Sequence, residues 1–139
     1  MILLDTNVVV DAQNGASRFY SWSNQVIADA IGADGAGVNA VILAELCAAA
    51  HSGAENIEFE LTSAGVQILD LPALTAKICG QAYLHYRKAR RRSGGSRSPA
   101  TPLPDFFIGA HAQLMGWKLA TRDTERYRLY FPDVDLIQP

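Results

Sequence analysis

A chain of 139 residues, 49% hydrophobic and 19% charged, is long enough to bury a core of its own and too apolar for disorder, so residues 1–139 read as one domain. No apolar run approaches the roughly eighteen residues of a membrane span, and Met1-Ile2-Leu3-Leu4-Asp5 meets an acid before a signal peptide's apolar stretch could form; the expected setting is the cytoplasm, with no membrane partner. The net charge of −2 conceals a segregation of twelve bases and fourteen acids along the chain.

Ile2-Leu3-Leu4 is a short apolar run ending at Asp5, as in a buried parallel strand whose carboxyl end delivers that acid; Val8-Val9-Val10 follows only after the polar Asp5-Thr6-Asn7. Arg18 to Ile31 carries Phe19, Trp22, Val26, Ile27, Ala30 and Ile31 at three- and four-residue intervals, which predicts an amphipathic helix closed by Gly32. Gly37-Val38 predicts a very short strand, and Asn39 suits the N-cap of a helix over Ala40 to Ala50. Glu55 to Ser63 predicts another helix, ended by Gly65, before the β-branched Val66-Gln67-Ile68-Leu69. Pro72 opens a longer helix that runs into a basic segment. Pro102 and Pro104 leave Leu103 extended, Asp105 starts a helix that Gly116 stops, Lys118 to Ala120 is a short strand, and Val134 to Ile137 an edge strand. Strands alternating with helices predict an α/β three-layer domain with a mainly parallel central sheet.

Between Leu71 and Pro104 there is no acid, and seven of the twelve bases lie there, six of them being Arg87, Lys88, Arg90, Arg91, Arg92 and Arg97. The Ser/Gly/Pro composition around Arg97 suits a mobile loop. The run is either a phosphate-contacting arm or a solvated helix end whose cations suit the helix dipole. Cys47 and Cys79, each in an apolar helical pattern, read as buried thiols rather than a disulfide or metal site. His51, His85 and His111 form no set at ligand or triad spacing, and the tyrosines and tryptophans fit packing better than base stacking.

Asp5, Glu45, Asp105 and Asp123 each sit against apolar residues at a strand end or on or near a buried helix face. In an open parallel sheet, sites gather outside the carboxyl ends of the strands, where Asp5 and Asp123 would both emerge. Carboxylates gathered there repel one another unless divalent cations lie between them, and hard oxygen ligands favour Mg²⁺ or Mn²⁺, the chemistry of phosphodiester hydrolysis by activated water. Taken singly, Asp5 also suits an Asx turn with Asn7, Asp105 the positive end of its helix, and Asp123 a turn before Glu125. Thr6, Asn7 and Thr121 flank the acids and either orient them or serve as turns and caps.

Four segments, Ile2-Leu3-Leu4-Asp5-Thr6-Asn7, Ala44-Glu45-Leu46, Pro104 to Ala112 and Thr121-Arg122-Asp123, resemble in order and spacing the PIN-domain ribonucleases, in particular the VapC-like toxins of type II toxin-antitoxin pairs. Tyr127 to Pro132 and the final strand are similar to that family's carboxyl terminus. The resemblance implies a Mg²⁺- or Mn²⁺-dependent endoribonuclease in which Asp5, Glu45, Asp105 and Asp123 form an acidic pocket, Asp5 and Asp105 being the firmest metal ligands. It also implies a homodimer and a cognate antitoxin whose carboxyl-terminal segment lies across the groove. The Arg87 to Pro102 segment is more basic and longer than the family's usual link; it would steer RNA into the acidic pocket. Two rivals stand beside this expectation. One is a DNA nuclease of the same fold; the other is a catalytically idle module, an RNA-binding adaptor or a phospho-receiver-like domain, though a receiver would want a second acid where Thr6 stands.

Overall fold

The computed structural model describes residues 1–49, 54–94 and 99–139. His51 and Arg97, with the centre of the Ser/Gly-rich link, lie outside the described residues. Five parallel strands form one sheet: β1 (Ile2–Leu4), β2 (Ala36–Asn39), β3 (Val66–Leu69), β4 (Lys118–Ala120) and β5 (Leu136–Ile137), in the order β3-β2-β1-β4-β5. Ile2 pairs with Ala36 on one side and with Lys118 on the other, so β1 is the central strand. Consecutive residues of β1 and β2 are all buried, which requires cover on both faces of the sheet and explains why these strands read as apolar runs rather than alternating ones.

The connections are helices: α1 (Thr6–Gln13), α2 (Tyr20–Gly32), α3 (Ala40–Ala49), α4 (Ala54–Ser63), α5 (Leu74–Arg92), α6 (Pro104–Met115) and α7 (Glu125–Tyr130). Two of them depart from the sequence pattern. Val8, Val9 and Val10 lie in α1, where tertiary burial of Val8 and Val9 overrides the β preference of three branched residues. The six residues of α7 are too short to print a helical period. The edge strand is also shorter than Val134 to Ile137, since Val134 closes a turn onto Phe131.

Chain order sets the site. The first three strands build outward from β1 to one edge, then α5 and α6 carry the chain back across to β4 on the other side of β1. The direction of strand order therefore reverses between β1 and β4, the crevice where open α/β sheets bind ligands. Local signals terminate each element there. Asn39, the last residue of β2, caps α3 by accepting from the Val41 and Ile42 amides, both at 3.0 Å. Leu103 is extended and Pro104 takes the first turn of α6, which ends at Gly116 in the left-handed conformation, φ 63°. Below the crevice, Tyr83, Tyr86, Phe106, Tyr130 and Phe131 interlock as an aromatic layer joining α5, α6 and α7, with ring centroids 5.1–6.0 Å apart. Cys79 is buried and its thiol is pushed up to about 11 by that burial; Cys47 is half-buried and neither is bridged.

Candidate functional site

Asp5 follows the last residue of β1 and its amide extends the ladder by donating to Ala120 O at 3.0 Å. The residue is 4% exposed. Three donors meet on its Oδ2: Asn7 Nδ2 at 2.7 Å, Thr121 Oγ1 at 2.7 Å and Tyr127 Oη at 3.3 Å. Burial raises the carboxyl above the usual range, the bonds from Thr121 and Tyr127 oppose that rise, and the charge of Glu45 adds to it. Tyr127, buried in its turn and facing Asp5, is held well above the ordinary phenol value, so it stays a donor.

Glu45 enters from α3 and accepts from Thr6 Oγ1 at the start of α1. Asp105 enters from the first turn of α6 and pairs with Arg126 Nη1 from α7. Asp123 follows β4, its amide donating to Thr121 Oγ1 at 3.1 Å, so Thr121 ties Asp123 to Asp5. All four acids line one cleft of about 280 Å³ together with Thr6, Asn7, Val10, Arg122 and Tyr127. The supporting residues hold one another: Asn7 Nδ2 also reaches Thr121 Oγ1 at 3.2 Å, and Asn7 Oδ1 accepts from the Arg122 amide at 3.2 Å. Arg122 is anchored at the cleft wall by Asp11, Nε to Oδ2 at 2.6 Å, and by the ring of Phe19.

The donor set fits a hard divalent cation. It offers four carboxylates and neighbouring hydroxyls, with no cysteine and no histidine among the residues lining the cleft. Among the described residues no three acidic, histidine or cysteine side chains stand grouped closely enough to hold a metal ion as they are. Asp105 is instead paired with Arg126. The buried Asp5 is the acid most in need of a positive partner.

Thr6, Asn7 and Thr121 therefore touch the acids through side chains rather than acting only as caps. The bases divide. Arg90 lies on α5 beside Asp123 in a second cavity, whereas Lys88, Arg91 and Arg92 are exposed on the final turns of that helix and Arg87 is half-buried. His111 is a core residue: Asn39 Oδ1 is taken by two amides, so Nδ2 donates to His111 Nδ1 at 3.2 Å and the proton sits on Nε2. Burial lowers its pKa, keeping it neutral. Two residues that touch the acids escaped the sequence pattern: Tyr127, which lines the cleft and donates to Asp5, and Arg126, which lines the second cavity and pairs with Asp105; their only signal is that they follow closely after Asp123.

A model of the PIN domain matches residues 2–132. A search of curated proteins finds no match. Among solved structures, FitAcB from Neisseria gonorrhoeae is 26% identical with a TM-score of 0.61, covering 100% of this chain and 98% of that one. A toxin-antitoxin complex from Klebsiella pneumoniae is 18% identical at 0.62, covering 100% and 98%. VapC20 of Mycobacterium tuberculosis, a sarcin-ricin loop cleaving toxin, is 14% identical at 0.65 and covers 100% of both chains.

Proposed function

The chain belongs to the PIN-domain family, and on that premise we propose that it is a Mg²⁺- or Mn²⁺-dependent endoribonuclease, the toxin of a type II toxin-antitoxin pair. The observation that carries this is the meeting of Asp5, Glu45, Asp105 and Asp123, from four separate segments, in one cleft at the carboxyl ends of β1 and β4. Such a gathering of negative charge costs folding energy in the bare chain, offset at Asp105 by Arg126, and a bound cation would compensate the remainder.

Held there by Asp5, Glu45, Asp105 and Asp123, a divalent cation would supply a more acidic water and positive charge against a phosphodiester. The protein's part is positioning. Thr121, Asn7 and Tyr127 fix the Asp5 carboxylate, Thr6 fixes Glu45, and the Asp11–Arg122 pair pins the turn that carries Asp123. Asp5 and Asp105 would be the principal ligands, with Glu45 and Asp123 completing the acidic ring. The bases near the end of α5 would draw the RNA backbone toward a site whose own charge repels it. RNA as substrate is supported by the neighbour that cleaves the sarcin-ricin loop, and a protein antitoxin by the neighbour solved as a toxin-antitoxin complex. A homodimer is part of the same proposal.

Matched RNA and DNA oligonucleotides of one sequence, incubated with the purified chain and Mn²⁺, test the substrate. Cutting of the RNA strand with the DNA strand left intact is expected; equal cutting of both would overturn the ribonuclease assignment.

A further inference from the structure

Beside the acidic cleft lies a second cavity, of about 320 Å³, between α5 and α7. Its walls carry Arg90 and Arg126, the rings of Tyr86 and Tyr130, and the exposed Leu129, with Asp123 and Glu125 at its acidic side. The two cavities are continuous in chemistry: Asp123 lines both, and Arg126 belongs to the second while pairing with Asp105 in the first. Arg90 is fixed against Tyr86, its Nη1 3.0 Å from Tyr86 Oη and its guanidinium carbon 5.7 Å from the centre of that ring.

We propose that this cavity is a subsite for one nucleotide of the RNA strand, next to the phosphate that is cut. The inference rests on the nuclease function proposed above. Size admits a single nucleotide unit, since the volume is at the lower end of small-molecule sites, about 300 Å³. Charge favours a nucleotide over a free phosphate: Arg90 and Arg126 face Asp123, Glu125 and, through the ion pair of Arg126, Asp105, so a bare anion gains little, whereas a nucleotide offers phosphate oxygens to the arginines and ring or sugar donors to the acids. The aromatic and leucine surfaces supply what a base or ribose packs against. Arg126 engages Asp105 through Nη1, and a guanidinium has five N–H donors, so it can hold Asp105 and a phosphate oxygen together. Arg90 and Arg126 thus act as a pair, one from each helix, on the strand leaving the acidic cleft.

The test uses the full chain carrying Asp5→Asn, so that RNA stays intact, with a short mixed-sequence oligoribonucleotide containing 4-thiouridine. Photocrosslinks mapped by mass spectrometry should fall on Tyr86, Leu129 or Tyr130. Arg90→Gln should weaken binding about tenfold, the loss of a charge-assisted contact, and Leu129→Glu, at an exposed position that does not support the fold, should do the same. The change Lys77→Gln, at an exposed base of α5 outside both the cavity and the basic run, should weaken binding by no more than about twofold. Crosslinks elsewhere, or undiminished binding in both cavity variants, would overturn the subsite while leaving RNA cleavage by the unmodified chain intact. No binding of the oligonucleotide together with no cleavage by the unmodified chain would remove subsite and nuclease function alike.

Discussion

At Asp5, three side chains donate to a single carboxylate oxygen, yet burial still favours the protonated acid. The consequence for stability has a definite sign. Below the unfolded value, near 4, the group is protonated in both states and costs nothing; as pH rises through the raised folded value, the buried charge must form and the metal-free fold loses stability. His111 acts at the other end, since its lowered pKa withdraws stability as pH falls below about 6.5. In EDTA, the difference in melting temperature between Asp5→Asn and the unmodified chain should therefore grow in favour of the variant as pH rises from about 4. A difference that stays constant from about pH 4 upward would show that Asp5 ionises without penalty. Thr6 provides a second check. Thr6→Val removes the hydroxyl that fixes Glu45 and should lower Mn²⁺ affinity by about 10–100-fold, the usual effect of losing an orienting partner, as read by calorimetry.

Helix α3 owes its position to Asn39, which spends both ends of its amide: the oxygen on the first free N–H groups of α3, the nitrogen on His111 of α6. Because α3 carries Glu45 and α6 carries Asp105, this one residue sets two walls of the cleft. Asn39→Ala should cost about 2–3 kcal/mol, a lost cap plus a buried histidine acceptor left without its donor, measured by urea unfolding. A cost below ~1 kcal/mol would mean the helices are placed by packing alone. The cap was legible in the sequence because an asparagine before an alanine-rich run has few other uses. So were the four acids, each an interruption in apolar surroundings. Helices α1 and α7 were not: three valines argue locally for a strand, and six residues cannot establish a period. With α7 unseen, neither Tyr127 in the cleft nor Arg126 on Asp105 could be assigned, and the basic run looked like one arm although, among the described residues, Arg90 is the base of that run that lines a cavity beside the acids.

Across the whole molecule, the crevice is supported from beneath by the aromatic layer of α5, α6 and α7, and glycine marks where that layer is tightest. A methyl group at Gly109 in α6 would overlap the buried ring of Phe131, whereas one at Gly80 in α5 meets nothing within 4 Å. The same substitution should thus have opposite signs: Gly109→Ala destabilising by about 1–3 kcal/mol through overpacking, and Gly80→Ala stabilising by about 0.5–1 kcal/mol through helix propensity. Chemical denaturation of the two variants compares them directly, and equal effects would contradict the packing. The strand order was legible only in part: alternation announced a parallel sheet, but nothing local shows that β1 lies at its centre with the direction reversing beside Asp5. That reversal brings the acids together, and the decisive measurement addresses them. A mixed RNA pool is incubated with purified, partner-free chain in Mg²⁺, Mn²⁺ or EDTA, alongside an Asp5→Asn variant whose fold is confirmed by circular dichroism. Cleavage that requires the metal and disappears in the folded variant is the expected result; cleavage that persists in EDTA, or in Asp5→Asn, would contradict a metal-dependent site built on these four acids.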